Sequence, residues 1–439
     1  MSDHITTYPY PYNAPRSEIF EVSACGHDVF VYQADGGDFA AFSCAEPVEL
    51  RIKSTRPWRD VKVTPTRLGI TPRMAGDTLV LQLPGPMNLL VTAPGVPDLY
   101  VYANRPEADT SANGGGPVRR YEAGKIHEVG ELQLVDGESV YIEGGAVVRG
   151  CIRASGMSNI QISGPGVLED SVERQAGRWR RSMVLQGCHD GLVKDIVMVE
   201  PAGWMITLGA CRRMMVHGVR QIGTIHGSDG VDICGSSVIR VEGCMLRNGD
   251  DCVVVKALGP PNNAAISPHS DWSGDVDDIL VSDCLLLSYR GGCALEVGHE
   301  TRANHMRNIR FADCTVLGVH EFGAPLGIHA GDRALIENVT YENIMIEHHY
   351  DKLVDFRIIR SRWSRDPARG KVRGITLKNI NVVQSPYNAG YTTSLIGGYS
   401  DEYNIADVKF DNFRIAEKHV LHPDDMDLYT KHATGISFR

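Results

Sequence analysis

The sequence has no apolar run long enough to form a membrane-spanning helix and no excess of positive charge. Of its 439 residues, 54 are Asp or Glu and 44 are Lys or Arg, which gives a formal net charge of -10. A negatively charged protein repels polyanions, so we expect neither nucleic acid nor heparin-like partners. A spanning helix needs about 20 consecutive apolar residues, so we expect no membrane association. The N-terminal residues lack a basic segment followed by an apolar one, which predicts a cytoplasmic protein, or a secreted one if a signal segment has been removed.

The cysteines also lack the spacing of a metal or disulfide framework. There are eleven, an odd number, spread over the chain, and no two form a C-x-x-C pair. This distribution argues against disulfide bonds and against a structural zinc site. We therefore expect the cysteines to be small buried apolar residues and predict no bound metal or cofactor.

What the N-terminal part does contain is a series of short β-branched and aromatic runs separated by Gly and Pro. The chain exceeds the size at which single cores stop growing, so two domains are expected. The spacing of the runs predicts an antiparallel β-sandwich domain over residues 1–115. The Gly-rich stretch 104–117 is the candidate linker to the second domain. The predicted strands are Ile19–Val22, Val29–Tyr32, Val48–Ile52, Leu79–Leu83 and Leu99–Tyr102.

From residue 132 onward the chain repeats a five-residue pattern of an aliphatic residue, any residue, an apolar residue, any residue, and then Asn, Asp or Gly. The last six copies are 40, 30, 30, 36 and 33 residues apart. Each copy describes a strand that ends in a turn residue able to adopt the left-handed conformation, and such a unit cannot bury its apolar face alone. The repeat predicts a right-handed parallel β-helix, a solenoid, over residues 116–439. The eight copies end at Gly164, Gly218, Gly243, Asp283, Asp313, Asn343, Asn379 and Asn412.

Three cysteines follow these turn positions directly, namely Cys244, Cys284 and Cys314. Because equivalent positions of successive coils lie above one another, we expect these thiols to form a ladder inside the solenoid. The overall expectation is therefore an all-β protein in which a β-sandwich precedes a right-handed parallel β-helix.

Three acidic residues in the segment 227–256 are the candidate catalytic groups. Asp229 lies 21 residues before the adjacent pair Asp250 and Asp251, about the length of one coil, so the three carboxyl groups are expected to meet on one face. Adjacent carboxylates are costly because like charges raise a pKa, and a fold accepts that cost mainly where chemistry uses it. One acid can protonate a leaving oxygen while another activates water, as hydrolysis of a glycosidic bond requires. The alternative is that these Asp residues only cap turns.

The spacing of these acids resembles the N-T-D and D-D signature of the polygalacturonase family, with Ser228 in place of the family's Thr. It is also similar to the Q-T-D-G and V-N-D-D motifs of the microbial dextranase family, a related clan. The resemblance covers residues 130–415 and implies an inverting glycoside hydrolase. It implies that Asp250 is the general acid and that Asp229 and Asp251 hold the attacking water.

Two polygalacturonase motifs are altered. At the position of the G-H-G motif the sequence has Cys293, and at the R-I-K motif it reads Gly327-Ile328-His329. The two missing cations would anchor a uronate carboxylate. The segments 294–299 and 354–358 resemble the dextranase motifs I-I-Q-M-G-W and L-F-R-I. The resemblance therefore favours a neutral, α-linked, glucan- or dextran-like oligosaccharide or polysaccharide as substrate.

Several further residues are candidates for contacts with the substrate. Glu296 would bond sugar hydroxyls, tryptophans would stack on sugar rings, and Lys256 lies close enough in sequence to pair with Asp251. Each of these residues could equally be a core, turn or rim residue. The substrate-binding candidates are Glu296, His299, His329, Trp204, Lys256 and Arg357, with His226, Trp363, Arg360 and Arg362 as further cleft candidates.

Other functions stay open at this stage. Asp229, Asp232 and His226 could hold a hard cation, although the dense spacing of a calcium loop is absent. Polygalacturonan or pectin-type hydrolysis and a polysaccharide lyase on the same scaffold are alternatives. A non-catalytic carbohydrate-binding β-helix is a third. The sequence is compatible with an oligomer and leaves the oligomeric state open.

Overall fold

A computed structural model describes residues 4–106, 116–260, 271–383 and 393–439. Two sheets formed by residues 5–104 are followed by parallel sheets formed by residues 118–438. The architecture is therefore nearly all-β, as predicted. The predicted domain boundary between residues 115 and 116 falls at the edge of the undescribed segment 107–115, which also contains most of the predicted linker. That boundary stays a prediction.

The N-terminal domain is a sandwich of two sheets with a shared apolar core. Strand β6 illustrates how the core forms. Val48, Leu50 and Ile52 are buried, whereas Arg51 between them is exposed, and this alternation is typical of a strand that has one face on a core and the other in solvent. One sheet contains β1 (Ile5–Thr7), β4 (Val31–Tyr32), β5 (Asp38–Cys44), β7 (Lys62–Thr64), β10 (Met87–Ala93) and β11 (Val96–Asn104); the other contains β2 (Phe20–Ala24), β3 (His27–Val29), β6 (Val48–Ser54), β8 (Arg73–Ala75) and β9 (Thr78–Leu83).

All five predicted runs contain strand residues, but the prediction of a purely antiparallel sandwich is wrong at one pairing. Strands β5 and β11 run parallel, with Leu99 opposite Asp38. Strand β5 was not predicted, because all seven of its residues are buried and the sequence shows no alternation. One side of β5 packs into the sandwich core, and the other side, with Phe39 and Ala41, packs against the β-helix.

The second domain is a parallel β-helix with three faces. The first face contains β12 (Val118–Tyr121), β14 (Ser139–Ile142), β16 (Gln161–Ser163), β19 (His189–Lys194), β22 (Arg212–His217), β25 (Ser237–Glu242), β28 (Val276–Ser282), β31 (His305–Ala312), β34 (Leu335–Ile346), β36 (Lys371–Val382), β38 (Ile405–Ile415) and β41 (Ala433–Phe438). The second face contains β13 (Ile126–Gln133), β15 (Val147–Ser155), β17 (Val167–Glu169), β20 (Val197–Val199), β23 (Arg220–Ile222), β26 (Met245–Asn248), β29 (Leu285–Ser288) and β32 (Thr315–Val319).

The third face carries the candidate site. It contains β18 (Met183–Gln186), β21 (Ile206–Gly209), β24 (Val231–Cys234), β27 (Val253–Ala257), β30 (Leu295–Thr301), β33 (Leu326–Ala330), β35 (Val354–Ile358), β37 (Ser394–Gly397) and β40 (Leu428–Lys431). The short strand β39 (Lys418–His419) pairs antiparallel with β38. In the part of the chain that the structure describes, helical segments are short: α1 (Ser171–Gln175) and two 3-10 turns, Thr66–Leu68 and Pro423–Met426. Within the described ranges, no helix has both the length and the apolar character needed to cross a membrane.

The predicted repeat is confirmed at the turn that ends each unit. All eight predicted turn residues have a positive φ, between 52° and 112°, the left-handed region that Gly, Asn and Asp tolerate best. Along the last copies the turn side chains also bond to one another. Asn343 donates to Asp313, Asn379 to Asn343, and Asn412 to Asn379, each at 2.9 Å. This amide ladder satisfies the polar groups at the corner between the first and second faces.

The cysteine ladder is present at the same corner. Cys244, Cys284 and Cys314 are at most 1% exposed and belong to the continuous apolar core of the solenoid. All eleven cysteines are free thiols, and Cys25 alone is exposed. Hydrogen bonds with the neighbouring thiols of Cys244 and Cys314, followed by burial, raise the pKa of Cys284. These three cysteines therefore act as packing residues.

Candidate active site

A cleft of about 580 Å³ lies over the third face of the β-helix. All three predicted catalytic residues line it, together with five of the six predicted substrate-binding residues. Its wall also contains residues that the sequence analysis did not select. Its lining residues include Trp179, Arg181, Trp204, His226, Asp229, Asp250, Asp251, Lys256, Cys293, His299, His329, Asp332, Asp355, Arg357, Arg362, Trp363 and Arg365.

Asp229 and Asp251 come from successive coils that are bonded directly to each other. Asp229 lies two residues before β24 and Asp251 two residues before β27, and the Gly230 N–H donates to the Asp251 carbonyl oxygen at 2.8 Å. The predicted convergence of the acids on one face is therefore present. Gly292, on the next coil, passes so close that an added Cβ would lie 2.1 Å from the Asp251 nitrogen. Only glycine fits at that position without displacing the acid pair.

Lys256 forms two buried ion pairs at the floor of the cleft. Its Nζ lies 2.8 Å from Asp229 Oδ2 and 2.9 Å from Asp232 Oδ1. No direct ion pair joins Lys256 to Asp251, because these two closer carboxylates hold the ammonium group; the predicted influence remains only as a longer-range one, since the charge of Lys256 acts to lower the pKa of Asp251. Burial by itself lowers the pKa of Lys256, but the charges of Asp229 and Asp232 outweigh it and raise the pKa well above its ordinary value. The lysine therefore stays charged and balances a buried carboxylate pair.

Asp250 is the acid that opens to the cleft. Its Oδ2 accepts a hydrogen bond from the Gly227 N–H at 3.1 Å and lies 3.8 Å from His226 Nδ1, and its side chain is 24% exposed. Burial, followed by the charge of Asp229, raises the pKa of Asp250 to about 6. A carboxyl group with that pKa carries a proton over part of the neutral range, as a general acid requires.

Asp251 is more deeply placed than Asp250. Its Oδ1 accepts a hydrogen bond from the Cys293 N–H at 2.7 Å. Burial, and then the charges of Asp250 and Asp229, raise the pKa of Asp251 well above the ordinary range. Asp250 and Asp251 therefore both hold a proton more tightly than an ordinary carboxyl group, and the charge of Asp229 contributes to both shifts.

Beside these acids, four side chains on β30, β33 and β35 form a hydrogen-bonded chain. His329 Nδ1 lies 2.8 Å from Glu296 Oε1, and His329 Nε2 lies 3.2 Å from Asp355 Oδ2. Arg357 donates two hydrogen bonds to Asp355, at 2.5 and 2.7 Å. Burial alone would lower the pKa of His329, but the charges and hydrogen bonds of Glu296 and Asp355 raise it to about 10. Gly327 makes the chain of contacts feasible, because a Cβ there would lie 1.8 Å from Glu296 Oε2.

This arrangement changes the predicted role of Glu296. The residue is 1% exposed and does not line the cleft. Its carboxylate faces His329 instead, because Gly327 leaves the space between them open. The predicted direct bond from Glu296 to sugar hydroxyls is therefore replaced by an indirect position behind His329.

Aromatic rings lie at both ends of the cleft. The ring of Trp204 has Lys256 Nζ 4.1 Å and Arg181 Cζ 4.3 Å from its centroid, so cations already contact it. Trp179 and Trp363 are 42% and 41% exposed and present more free ring surface than the partly buried Trp204. His299 stacks on His329, with ring centroids 4.6 Å apart, and burial followed by the charge of His329 lowers the pKa of His299 to about 4.

The loop that carries Trp363 is fixed by a buried carboxylate. Asp332 is fully buried, and its Oδ1 accepts hydrogen bonds from the backbone N–H groups of Arg365 and Asp366 at 2.6 and 2.8 Å. Arg362 lies over the Trp363 ring at 4.5 Å and lines the cleft, whereas the predicted cleft residue Arg360 does not. The loop is thus a defined wall of the cleft.

Sequence reasoning missed Trp179, Arg181, Asp332 and Asp355. They lie on coils before and after the acid segment, and a spacing pattern within one segment cannot identify them. The sequence interpretation of Asp229, Asp232 and His226 as cation ligands is also not supported. The ammonium group of Lys256 lies between the two carboxylates, and His226 is nearer Asp250.

A right-handed parallel β-helix with three coupled carboxyl groups in an aromatic-walled cleft defines the class as a carbohydrate-active β-helix enzyme. The family model of glycosyl hydrolases family 28 matches residues 136–416. Because this match covers well over half of the chain, the chain belongs to glycosyl hydrolases family 28. The predicted class of enzyme, a glycoside hydrolase, and the predicted polygalacturonase-like resemblance are thereby confirmed.

Individual relatives are distant. A probable polygalacturonase from Vitis vinifera is 20% identical over 189 residues, which cover 36% of this chain and 38% of that protein, so the chain spans well under half of that relative's length. Dex49A from Penicillium minioluteum superposes with a TM-score of 0.65 at 12% identity, covering 98% of this chain and 96% of that one. An exopolygalacturonase from Thermotoga maritima has a TM-score of 0.56 at 15% identity, covering 74% and 84%. These structural similarities establish the fold.

Proposed function

We propose that the cleft hydrolyses a glycosidic bond with inversion of the anomeric configuration. Asp250 donates a proton to the leaving oxygen, because its carboxyl group faces the cleft and its pKa is raised to about 6. Asp229 accepts a proton from the attacking water, and its ion pair with Lys256 balances the charge that it carries before the reaction. Asp251 is a second partner for that water. The raised pKa of cleft-facing Asp250 beside Asp229 is the observation that carries this assignment.

We propose a neutral, α-linked sugar as the substrate unit at the bond that is cleaved. The observation behind the choice of a neutral sugar is that the two cations contributed to the cleft by β33 and β35 are already neutralised. His329 bonds to Glu296 and Asp355, and Arg357 forms a bidentate pair with Asp355. A uronate placed there would meet cations whose charge is already compensated, and would gain little from them.

A uronate-containing polysaccharide is the second candidate substrate. Arg362 and Arg365 line the cleft, and neither forms an ion pair with any residue of the described ranges. Two unpaired guanidinium groups could bind a carboxylate farther from the cleaved bond. The family match to polygalacturonase-like proteins is compatible with this candidate.

A panel of soluble polysaccharides separates the two candidates. Dextran and other α-glucans, polygalacturonate, and their oligomers would be incubated with the protein, and new reducing ends measured. We expect release from a neutral α-linked substrate and little release from polygalacturonate. Efficient hydrolysis of polygalacturonate that is lost in Arg362→Ala/Arg365→Ala would establish the second candidate. Release of an unsaturated, ultraviolet-absorbing product would contradict hydrolysis itself.

A further inference from the structure

Three side chains with different metal-binding atoms meet behind the catalytic acids, on β30, β33 and the turn before β30. The Sγ atom of Cys293, a carboxylate oxygen of Glu296 and a ring nitrogen of His329 all lie within 4.8 Å of one another. The three residues are 6%, 1% and 4% exposed. Buried carboxylates and imidazoles normally need complete pairing. The hydrogen bonding of these three side chains is incomplete, because one carboxylate oxygen has no partner among the described residues.

Glu296 has one oxygen that nothing satisfies. Its Oε1 lies 2.8 Å from His329 Nδ1, whereas its Oε2 has no hydrogen-bond partner among the described residues. The space beside Oε2 is bounded by Gly327, where an added Cβ would lie 1.8 Å from Oε2 and 2.9 Å from Cys293 Sγ. The unpaired oxygen and the thiol therefore border the same small space above a glycine.

The residues around His329 already have the arrangement of a metal-binding histidine. Metal-ligating histidines usually donate the N–H that does not face the metal to a carboxylate, which orients the ring. His329 Nε2 lies 3.2 Å from Asp355 Oδ2, and Arg357 fixes Asp355 through two hydrogen bonds. Nδ1 faces Glu296, so it is the nitrogen available as a ligand. The proton shared by Nδ1 and Glu296 would leave when a metal binds.

We propose that Cys293, Glu296 and His329 form a binding site for a divalent transition-metal ion, with Zn²⁺ as the preferred ion. Thiolate, imidazole and carboxylate together are a donor set typical of zinc. One thiolate and one carboxylate also balance the charge of a dication, so the occupied site is neutral overall. Three protein ligands leave one tetrahedral position open. Two of the three ligand residues, Cys293 and His329, also line the cleft.

The site would act on the reaction through Asp251, which does not ligate the ion. The Cys293 N–H donates to Asp251 Oδ1 at 2.7 Å, so a bound dication would add positive charge one residue from an acid of the catalytic group. This placement differs from the interpretation of Asp229, Asp232 and His226 as cation ligands, because none of those residues takes part. The metal proposal also does not depend on which polysaccharide the enzyme cleaves.

Cobalt titration of the full-length protein tests the proposal. The protein would be treated with a chelator, dialysed and titrated with Co²⁺, and the near-ultraviolet thiolate-to-cobalt charge-transfer band would be recorded. We expect one equivalent of Co²⁺ to produce the band and Zn²⁺ to abolish it by displacement. Cys293→Ser should lose the band. Cys25→Ser, which removes the exposed thiol, should keep it and so serves as the matched control.

Two further variants keep the test decisive if Cys293→Ser folds poorly. Glu296→Gln should weaken Co²⁺ binding, and Asp355→Asn, which changes the shared partner of His329 and Arg357 but removes no ligand, should weaken it about 10- to 100-fold. Circular dichroism would confirm that each variant is folded. Absence of the band in folded wild-type protein at one equivalent, or a band that depends on Cys25 and not on Cys293, would overturn the proposal.

Discussion

Lys256 Nζ lies 2.8 Å from Asp229 Oδ2 at the floor of the cleft, with the two side chains only 6% and 4% exposed. Asp232, which is fully buried, shares the same ammonium group at 2.9 Å. One buried cation thus contacts two buried carboxyl groups, one of which, that of Asp229, lines the cleft. The same lysine therefore stabilises the third face and the negative charge of Asp229, the proposed base.

Replacing the lysine tests this link. Lys256→Met leaves two buried carboxylates without a counter-ion, so we expect a loss of about 3–5 kcal/mol in the free energy of unfolding. Adding Asp232→Asn to Lys256→Met removes one of those charges and should recover part of the loss. Urea unfolding of the three proteins measures the effect. Equal stability of Lys256→Met and wild type would show that the pair contributes nothing.

The proton donor can be removed with little change in volume. Asp250→Asn should fold normally and lower kcat by about a hundredfold to ten-thousandfold, the range for loss of a general acid. Asp283→Asn is the matched control, because it makes the same change at an exposed left-handed turn that Asn also tolerates. Kinetics on the substrate identified by the panel provide the measurement. Activity of Asp250→Asn close to that of Asp283→Asn would exclude the acid assignment.

The pKa of Asp250 predicts the alkaline side of the pH profile. Because burial and Asp229 raise the pKa to about 6, the proton donor is present below that pH and is lost as the pH rises through it. We therefore expect kcat/KM to fall with rising pH above about 6. The same shift means that the folded state binds this proton more tightly than the unfolded state, so the free energy of unfolding falls as the pH rises from about 3.8 to about 6 and levels off above that. A kcat/KM that rises continuously from pH 5 to pH 8 would contradict the assignment.

Trp363 tests whether the exposed ring at one end of the cleft binds sugar. An aromatic contact contributes about 0.5–1.5 kcal/mol beyond the area it buries, so Trp363→Ala should raise KM by roughly twofold to tenfold and leave kcat nearly unchanged. Tyr429→Ala is the control, since Tyr429 is 66% exposed on β40 of the same face and lies outside the cleft lining. An equal change in KM for both variants would mean that Trp363 has no specific role.

The sequence predicted those features that repeat or that depend on local spacing. The eight turn residues from Gly164 to Asn412 share one backbone conformation, and only a few residue types tolerate it, so the pattern is visible without the structure. Asp229 and Asp251 were placed together by the length of one coil. In both cases the period of the chain determines which positions become neighbours.

The features that were missed depend on side-chain direction or on contacts between domains. The period of the coils places Glu296 beside His329, but it does not show that Gly327 allows the carboxylate to turn away from the cleft. Strand β5 has no alternation because a second domain covers its other side. Lys256 pairs with Asp232 where both side chains are buried, and burial of this kind cannot be inferred from the spacing of residues along the sequence.

The stereochemistry of the first product distinguishes the two ways in which three carboxyl groups can cleave a glycosidic bond. A retaining enzyme needs one carboxylate as a nucleophile about 5–5.5 Å from the acid, whereas an inverting enzyme holds a water between acid and base at roughly 6.5–9.5 Å. Here Asp229 and Asp251 border the cleft beside Asp250, and Asp229 forms an ion pair with Lys256, an arrangement suited to holding and deprotonating water. We therefore expect proton NMR of the first-formed sugar to show the anomer opposite to that of the substrate. A first product with the substrate's own configuration would mean that one of these carboxylates attacks carbon directly.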